Sequence, residues 1–181
     1  MEVIATDLPG VLRLRPRIFS DDRGWFTETW NEARFRENGL PSGFVQDNQS
    51  RSYKNVLRGL HFQLQQPQGK LVRAIAGRIF DVAVDIRRSS SHFGHWVGVE
   101  LNAETPEMLW IPPGFAHGFL VLSDSADVFY KTTDFYSAPS ERTICWNDPT
   151  LAIAWPLTAE PTVSAKDAAG TTLDRTELPT S

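Results

Sequence analysis

The sequence predicts a β-sandwich or jelly roll, because short segments with strand periodicity alternate with turn residues along most of its 181 residues. Twelve glycines and twelve prolines supply the turns. The one convincing helix covers residues 31–38, where Asn31 can cap the first turn and Gly39 follows the last. The predicted strands are residues 24–30, 71–76, 79–86, 96–101, 108–111, 119–122 and 127–132.

The segment 79–86 has the clearest strand pattern. Its apolar residues alternate with Asp81, Ala83 and Asp85, so one face is apolar and the other is more polar. The more polar face could look into a cavity. Ahead of this strand, Ala76 and Gly77 favour a hairpin turn that joins 71–75 to 79–86.

Length and composition favour one domain over residues 1–181, with a core at about 5–157 and a tail at 158–181 that folds back onto it. A hydrophobic fraction of 41% and a net charge of −4 are typical of a soluble protein rather than a nucleic-acid binder. No apolar run approaches the roughly 18 residues of a membrane span. The first residues lack a secretory signal, and one cysteine cannot form an intrachain disulfide. We therefore expect a cytoplasmic protein that binds neither nucleic acid nor membrane.

Two segments, 56–63 and 111–119, each place one histidine beside a strand. A jelly roll with two such segments resembles the cupin architecture, whose typical members bind iron, manganese or another metal. In those members the first segment presents two histidines one residue apart and then a glutamate. Here His61 is followed by Gln63, and residues 64–68 contain no glutamate. Since two histidines are too few ligands for firm binding, we predict no metal and no cofactor.

His61 is a candidate proton acceptor, because imidazole titrates near pH 6.5. A hydrogen-bonded core histidine is the alternative, but Arg58, Gln63 and Lys70 nearby favour a polar pocket. In a regular strand His61 and Gln63 share one face and Arg58 points to the other. Their joint use therefore requires a bulge or bend at Gly59.

An ordered series of short motifs covers most of residues 5–157. The motifs are Asp22-Arg-Gly-x-Phe-x-Glu28, Gln46-Asp-Asn-x-Ser50, Val56-Leu-Arg-Gly-Leu-His-Phe-Gln63, Gln68-Gly-Lys-Leu-Val72, Asp81-Val-Ala-Val-Asp-Ile-Arg87, Ile111-Pro-Pro-Gly-Phe-Ala-His-Gly-Phe119, Tyr130-Lys-x-Thr133, Tyr136 and Trp146-Asn-Asp-Pro149. The series is far more specific than any one of its members, and through it the chain resembles the nucleotide-sugar 3,5-epimerase family.

The resemblance implies epimerisation of a dTDP-linked 4-keto-6-deoxyhexose at C3 and C5, by proton abstraction and reprotonation on the opposite face. It implies His61 as the base, with Asp167 orienting the imidazole, and Tyr130 as the acid. Lys70 resembles the residue that stabilises the enolate oxygen. The expected pathway is dTDP-L-rhamnose synthesis for cell-surface polysaccharide.

Further positions match family residues that bind the nucleotide or the sugar. Arg23 and Arg58 suit the diphosphate, and Tyr136 matches the residue that stacks on thymine. The other expected binding residues are Glu28, Gln46, Asp47, Asn48, Gln63, Lys70, His117, Glu141 and Lys166. Taken singly, many of these would be ordinary surface charges or packed aromatics. The family also implies a homodimer with strand exchange, in which Arg23 and Glu28 would serve the partner's site.

Three alternatives stay open at this point. A related enzyme could epimerise C3 alone or isomerise the keto group between C3 and C4, with the same base. A non-enzymatic sugar-binding jelly roll would need no base and acid pair. A metal-dependent cupin is the third alternative, despite Gln63.

Overall fold

Two antiparallel β-sheets form the body of the structure, a computed structural model that describes residues 1–179. The strands of the first sheet, in spatial order, are β1 (Glu2–Ala5), β2 (Leu12–Arg15), β10 (Met108–Ile111), β7 (Lys70–Ala76), β12 (Ser125–Thr132) and β5 (Gln46–Tyr53). Those of the second are β13 (Glu141–Thr143), β6 (Leu57–Gln63), β11 (Phe115–Val121), β8 (Arg78–Asp85) and β9 (Trp96–Asn102). A separate two-stranded ribbon consists of β3 (Ile18–Asp21) and β4 (Gly24–Thr27).

The main core lies between the two sheets. Val72, Leu109 and Val128 from the six-stranded sheet pack in one buried cluster with Ile79 and Phe119 from the five-stranded sheet. Burying the inner faces of both sheets against each other is what a sandwich of alternating strands requires. The predicted jelly roll is confirmed, and its helices are few and short.

The predicted helix is confirmed as α1 (Glu32–Glu37). The side chain of Asn31 caps it, since its Oδ1 accepts a hydrogen bond from the backbone N–H of Arg34 at 3.2 Å. Phe35 faces inward and is buried. Gly39 follows the helix with φ +68°, a conformation in which glycine is favoured over residues with a Cβ.

Strand β8 is buried on both faces, which explains its many apolar residues. Its outer face packs Val82 and Val84 against Leu151, Leu173 and Leu178 from the C-terminal part of the chain. That part returns to the body through isolated bridges at residues 162 and 171, and between them lies α2 (Ala165–Ala168). The more polar face of β8 is therefore its inner face.

The predicted hairpin at Ala76 and Gly77 is wrong. Strand β7 belongs to the six-stranded sheet and β8 to the five-stranded sheet, so the turn at Gly77 carries the chain from one sheet to the other. Turn residues indicate that a chain reverses direction, but the partners of the two strands depend on the rest of the fold. Strands β1, β2, β3, β5 and β13 were not predicted, because they are short or rich in polar residues.

Candidate active site

Strands β6 and β11 bring the two predicted histidines side by side, because His61 and His117 are direct partners in the antiparallel pairing. The register shifts just beyond this pair, where Arg58 lies opposite Phe119. The shift occurs at Gly59, which has φ +118°. A Cβ built there would lie 2.6 Å from the Cα of Gly118, so the close strand contact requires a glycine.

The irregularity at Gly59 turns Arg58 toward the same side as His61 and Gln63, as the sequence predicted. All three side chains line a cavity of about 250 Å³. The other predicted residues that line it are Lys70, His117, Tyr130, Tyr136, Glu141 and Lys166. The structure thus brings together side chains from residue 58 to residue 166 at one end of the jelly roll.

His61 is held by a buried carboxylate. Its Nε2 lies 2.5 Å from Oδ1 of Asp167, whose side chain is 4% exposed. Asp167 is in turn fixed by α2, where its N–H donates to the hydroxyl of the capping Ser164 at 3.1 Å. Burial alone would raise the pKa of Asp167, but the hydrogen bond with His61 helps to hold it below the ordinary value. Asp167 therefore stays ionised beside the imidazole.

Lys70 is a buried cation at the start of β7, with 7% of its surface exposed. Burial lowers the pKa of its ammonium from 10.5 to about 8, because the charged form is poorly solvated. The negative charges of Asp81 and Glu141 oppose this shift. Lys70 therefore remains mostly protonated at neutral pH while giving up its proton more readily than an exposed lysine.

His117 forms a second imidazole and carboxylate pair. Its Nε2 lies 2.7 Å from Oδ1 of Asp81, and the Asp81 side chain is fully buried. His117 itself is 7% exposed and has one edge on the cavity. Asp81 was not among the predicted site residues. Acids on the inner face of a buried strand, Asp81 and Asp85, were the signal that could have identified it.

Tyr130 enters the cavity from β12, in the sheet opposite to that of His61. Burial raises the pKa of its phenol, and the negative charge of Glu141 raises it further. Arg58 and Lys166 act in the other direction but do not reverse the shift. The phenol thus keeps its proton at neutral pH and is able to donate it.

Three side chains are linked at the cavity mouth. The hydroxyl of Tyr136 donates to Oε2 of Glu141 at 2.9 Å, and Nζ of Lys166 lies 2.8 Å from Oε1 of the same carboxylate. The ring of Tyr136 is 54% exposed and offers a flat surface beside the cavity. Burial alone would raise the pKa of Glu141, but the hydrogen bonds from Lys166 and Tyr136 lower it overall.

Gln63 and Gln46 position the loop that carries Tyr136. The Oε1 of Gln63 accepts from the N–H of Ser137 at 2.8 Å, and its Nε2 donates to the carbonyl of Phe135 at 3.1 Å. Gln46 accepts from the N–H of Tyr136 at 3.0 Å and donates to Asn48 at 2.9 Å. The amides of Gln63 and Gln46 are therefore engaged in the protein's own hydrogen bonds.

Five of the predicted binding residues do not line the cavity: Arg23, Glu28, Gln46, Asp47 and Asn48. Arg23 lies at the tip of the β3–β4 ribbon, 90% exposed, and pairs with Asp21. Glu28 contacts Arg34 at 3.2 Å, and Asp47 contacts Lys131 at 2.8 Å. Strand alternation explains Asp47, because Gln46 and Asn48 point inward and Asp47 points out.

Among residues 1–179 no group of three or more His, Cys, Asp or Glu side chains is placed to hold a metal ion. The described part of the chain also contains no helix long and apolar enough to cross a membrane.

A carboxylate-supported imidazole from one sheet faces a protonated phenol from the other, with a buried ammonium between the same two sheets. The fold and this site define a jelly-roll enzyme of the isomerase class that acts by proton transfer.

Comparison with known proteins then gives the family. The family model described as dTDP-4-dehydrorhamnose 3,5-epimerase matches residues 5–175, and the chain belongs to this family. The predicted resemblance is thereby confirmed.

Individual relatives agree along nearly the whole chain. The dTDP-4-dehydrorhamnose 3,5-epimerase of Escherichia coli is 56% identical over 176 residues, which are 96% of this chain and 95% of that one. The enzyme of the same name from Pseudomonas aeruginosa is 55% identical over 171 residues, 94% of each chain. A solved structure of the dTDP-6-deoxy-D-glucose-3,5-epimerase of Legionella pneumophila in complex with dTDP-4-keto-L-rhamnose is 50% identical. It superposes with a TM-score of 0.96 over 98% of this chain and 97% of that chain.

Proposed function

We propose that this protein converts dTDP-4-dehydro-6-deoxy-D-glucose to dTDP-4-dehydro-L-rhamnose by inverting C3 and C5, in dTDP-L-rhamnose biosynthesis. One observation carries the proposal: the His61–Asp167 pair and Tyr130 reach one cavity from opposing sheets. An inversion needs a base on one face of a sugar ring and an acid on the other, and this arrangement supplies both. The full-length relatives that carry the epimerase name bear out the activity.

The first step is removal of a proton next to the C4 ketone. The ketone acidifies C3 and C5, and His61 takes the proton from either carbon as general base. Asp167 supports this step, because its buried carboxylate holds the imidazole in place and stabilises the imidazolium that forms. The electron pair of the broken C–H bond moves into the enolate.

The second requirement is stabilisation of the enolate. Negative charge grows on the C4 oxygen as the proton leaves, and the Lys70 ammonium lies in the cavity wall to meet it. A charge in a site shielded from water acts more strongly than one in bulk solvent. His117, beside His61, is placed to bind a sugar oxygen.

The third step is protonation from the other face. The Tyr130 phenol retains its proton at neutral pH and donates it to the carbanion carbon, which leaves that centre inverted. The His61 imidazolium and the Tyr130 phenolate then exchange protons with solvent, so no redox step and no organic cofactor are needed.

The cavity mouth is suited to the nucleotide. Arg58 offers a guanidinium to the diphosphate, and the exposed ring of Tyr136 offers a stacking surface to thymine. Glu141 and Lys166 border the sugar and phosphate, while Gln46, Asn48 and Gln63 support binding through the loop of Tyr136.

We test the reaction by incubation with dTDP-4-keto-6-deoxyglucose in heavy water, with deuterium located by mass spectrometry and NMR. Label at both C3 and C5, together with the L-rhamno product, is the expected result. Label at C3 alone would identify a mono-epimerase or ketoisomerase. No label with folded protein would exclude epimerisation, and His61→Ala is the matched control that should give none.

We further propose that the active form is a homodimer in which Arg23 and Glu28 serve the partner's cavity. The β3–β4 ribbon supports this, because its apolar side chains face solvent: Phe19 is 48%, Trp25 55% and Phe26 67% exposed. A two-stranded ribbon is marginally stable alone, and an exposed apolar surface of this kind is typical of a protein–protein interface.

Mixing two inactive variants tests this arrangement. A heterodimer of His61→Ala and Arg23→Ala subunits contains one intact site only if Arg23 acts on the partner's cavity. Activity regained on mixing and reassociation is expected. If mixing restores no activity, or if light scattering shows a fully active monomer, the dimeric site is contradicted.

The cytoplasmic location is likewise proposed, and cell fractionation tests it.

A further inference from the structure

Asp81 is a carboxylate buried where an apolar side chain would be expected. It lies in β8, a central strand between β11 and β9, and points to the inner face together with Ile79 and Ala83. All three side chains are 0% exposed. Two of them form part of the core cluster between the sheets, and Asp81 is the exception.

The hydrogen bonding of Asp81 is incomplete. Its Oδ1 accepts from Nε2 of His117 at 2.7 Å. Its Oδ2 is buried and has no hydrogen-bond partner within residues 1–179. A buried carboxylate oxygen without a partner destabilises the fold, because its lost hydration is not replaced by a hydrogen bond. A fold that needed only packing at this position would be more stable with an aliphatic residue.

Lys70 reaches the cavity from β7 of the six-stranded sheet, and Asp81 is buried in β8 of the five-stranded sheet that packs against it. Burial lowers the pKa of the Lys70 ammonium. The negative charges of Asp81 and Glu141 raise this pKa, and the effect of Asp81 is the larger of the two. The remaining titratable groups around the cavity are the imidazoles of His61 and His117, the phenols of Tyr130 and Tyr136, and Arg58 and Lys166. The carboxylate of Asp167 is paired with His61, and that of Glu141 is paired with Lys166.

We propose that Asp81 is a positioning residue that orients His117 through Nε2 and supplies the negative charge that retains the proton on Lys70. It touches no substrate and acts through these two neighbours. The proposal deepens the function above, because it rests on Lys70 as the group that stabilises the enolate. The proposal also explains the burial of this carboxylate with Oδ2 unpaired among residues 1–179, because its negative charge serves to stabilise the Lys70 ammonium.

The direct test is the titration of Lys70 in protein that carries 13C-labelled lysine. The chain has only four lysines, so the Lys70 signal is assigned by its loss in Lys70→Arg. In Asp81→Asn, which preserves size and leaves an oxygen for His117, the pKa of Lys70 should fall by about one unit or more. Asp85→Asn is the matched control, since it removes a buried carboxylate from the same face of β8 that pairs with Arg87 and should leave Lys70 unchanged.

Activity should follow the same pH dependence. If the pKa of Lys70 falls from about 8 by one unit, its protonated fraction at pH 8 drops from about one half to about one tenth. Relative to the wild type, the kcat of Asp81→Asn should therefore be lowered about fourfold more at pH 8 than at pH 6.5, with KM less affected. A purely structural role would lower kcat equally at both pH values.

An unchanged Lys70 titration in folded Asp81→Asn would overturn the proposal. Should this variant fail to fold, the wild-type protein still decides the matter: 15N spectra of the four histidines must show Nε2 of His117 protonated. An unprotonated Nε2 would exclude Asp81 as its acceptor. Because both spectra report on the protein without substrate, their outcome is independent of whether deuterium enters C3 and C5.

Discussion

His61 and His117 are direct partners across two antiparallel strands, and the Nε2 of each contacts a different buried carboxylate. The carboxylate of His61 comes from α2 near the C-terminus, and that of His117 comes from the neighbouring strand β8. The first pair is suited to proton abstraction and the second to holding the sugar. One strand pairing thus sets the spacing between the proposed base, His61, and the proposed sugar-binding group, His117.

Asp167→Asn should lower kcat about 10–100-fold and change KM little, because the amide no longer stabilises the imidazolium that forms in the transition state. Steady-state kinetics on the dTDP-sugar measures this. Asp174→Asn, in the same C-terminal part but exposed, is the control and should keep wild-type kinetics. A loss confined to KM would contradict the orienting role of Asp167.

Tyr130→Phe should lower formation of the L-rhamno product by about 100-fold or more, since it removes only the hydroxyl that protonates the carbanion. Proton abstraction by His61 should continue, so deuterium still enters the substrate with retained configuration. NMR of the sugar in heavy water distinguishes deuterium exchange with retained configuration from inversion. Tyr53→Phe, whose ring is 72% exposed, is the control. Normal inversion by Tyr130→Phe would assign the acid elsewhere.

Gly59→Ala should lower the free energy of unfolding by about 2–4 kcal/mol, through a strained backbone and a clash with β11. The added Cβ would lie 2.6 Å from Gly118 Cα and 2.7 Å from the His117 carbonyl oxygen. Urea unfolding measures the loss. Gly43→Ala meets nothing within 4 Å and should change stability by less than about 0.5 kcal/mol. Equal stability of the two variants would refute the close approach of β6 and β11.

Glu107 should contribute stability that depends on pH. Burial alone would raise the pKa of Glu107, but hydrogen bonds from Arg13 and Arg15 lower it below the ordinary 4.5. Its contribution is therefore fully present above pH 4.5 and is lost as the pH falls through the lower, folded-state pKa. Glu107→Gln should cost about 1 kcal/mol at pH 7, a modest value because both arginines are partly solvated.

Chemical unfolding between pH 2 and pH 7 checks the Glu107 prediction. The difference in the free energy of unfolding between Glu107→Gln and the wild type should become smaller as the pH falls toward 2. Glu104→Gln, exposed and three residues away, should show no such trend. A cost that is the same at all pH values would indicate a packing effect instead of a charge effect.

Local patterns were sufficient for much of the fold. The alternation in 79–86 and the cap at Asn31 arise from interactions within a few residues, and both elements formed near the predicted positions. The turn at Gly77 was recognised, but its hairpin was not formed, since pairing depends on strands elsewhere in the chain. Strand parity also anticipated the bend at Gly59, because Arg58 and His61 could share a cavity in no other way.

The sequence by itself determined the class of fold and the family, and it selected His61 as the candidate base, since these depend on residue types at short spacings. Only the tertiary structure decided which distant residues meet: Asp167 reaches His61 across 106 positions, and Asp81 reaches His117 across 36. It also placed Arg23 and Glu28 away from their own cavity. The physical reason is that burial, desolvation and pairing are set by the packing of two sheets and the returning C-terminal segment, which short-range patterns do not encode.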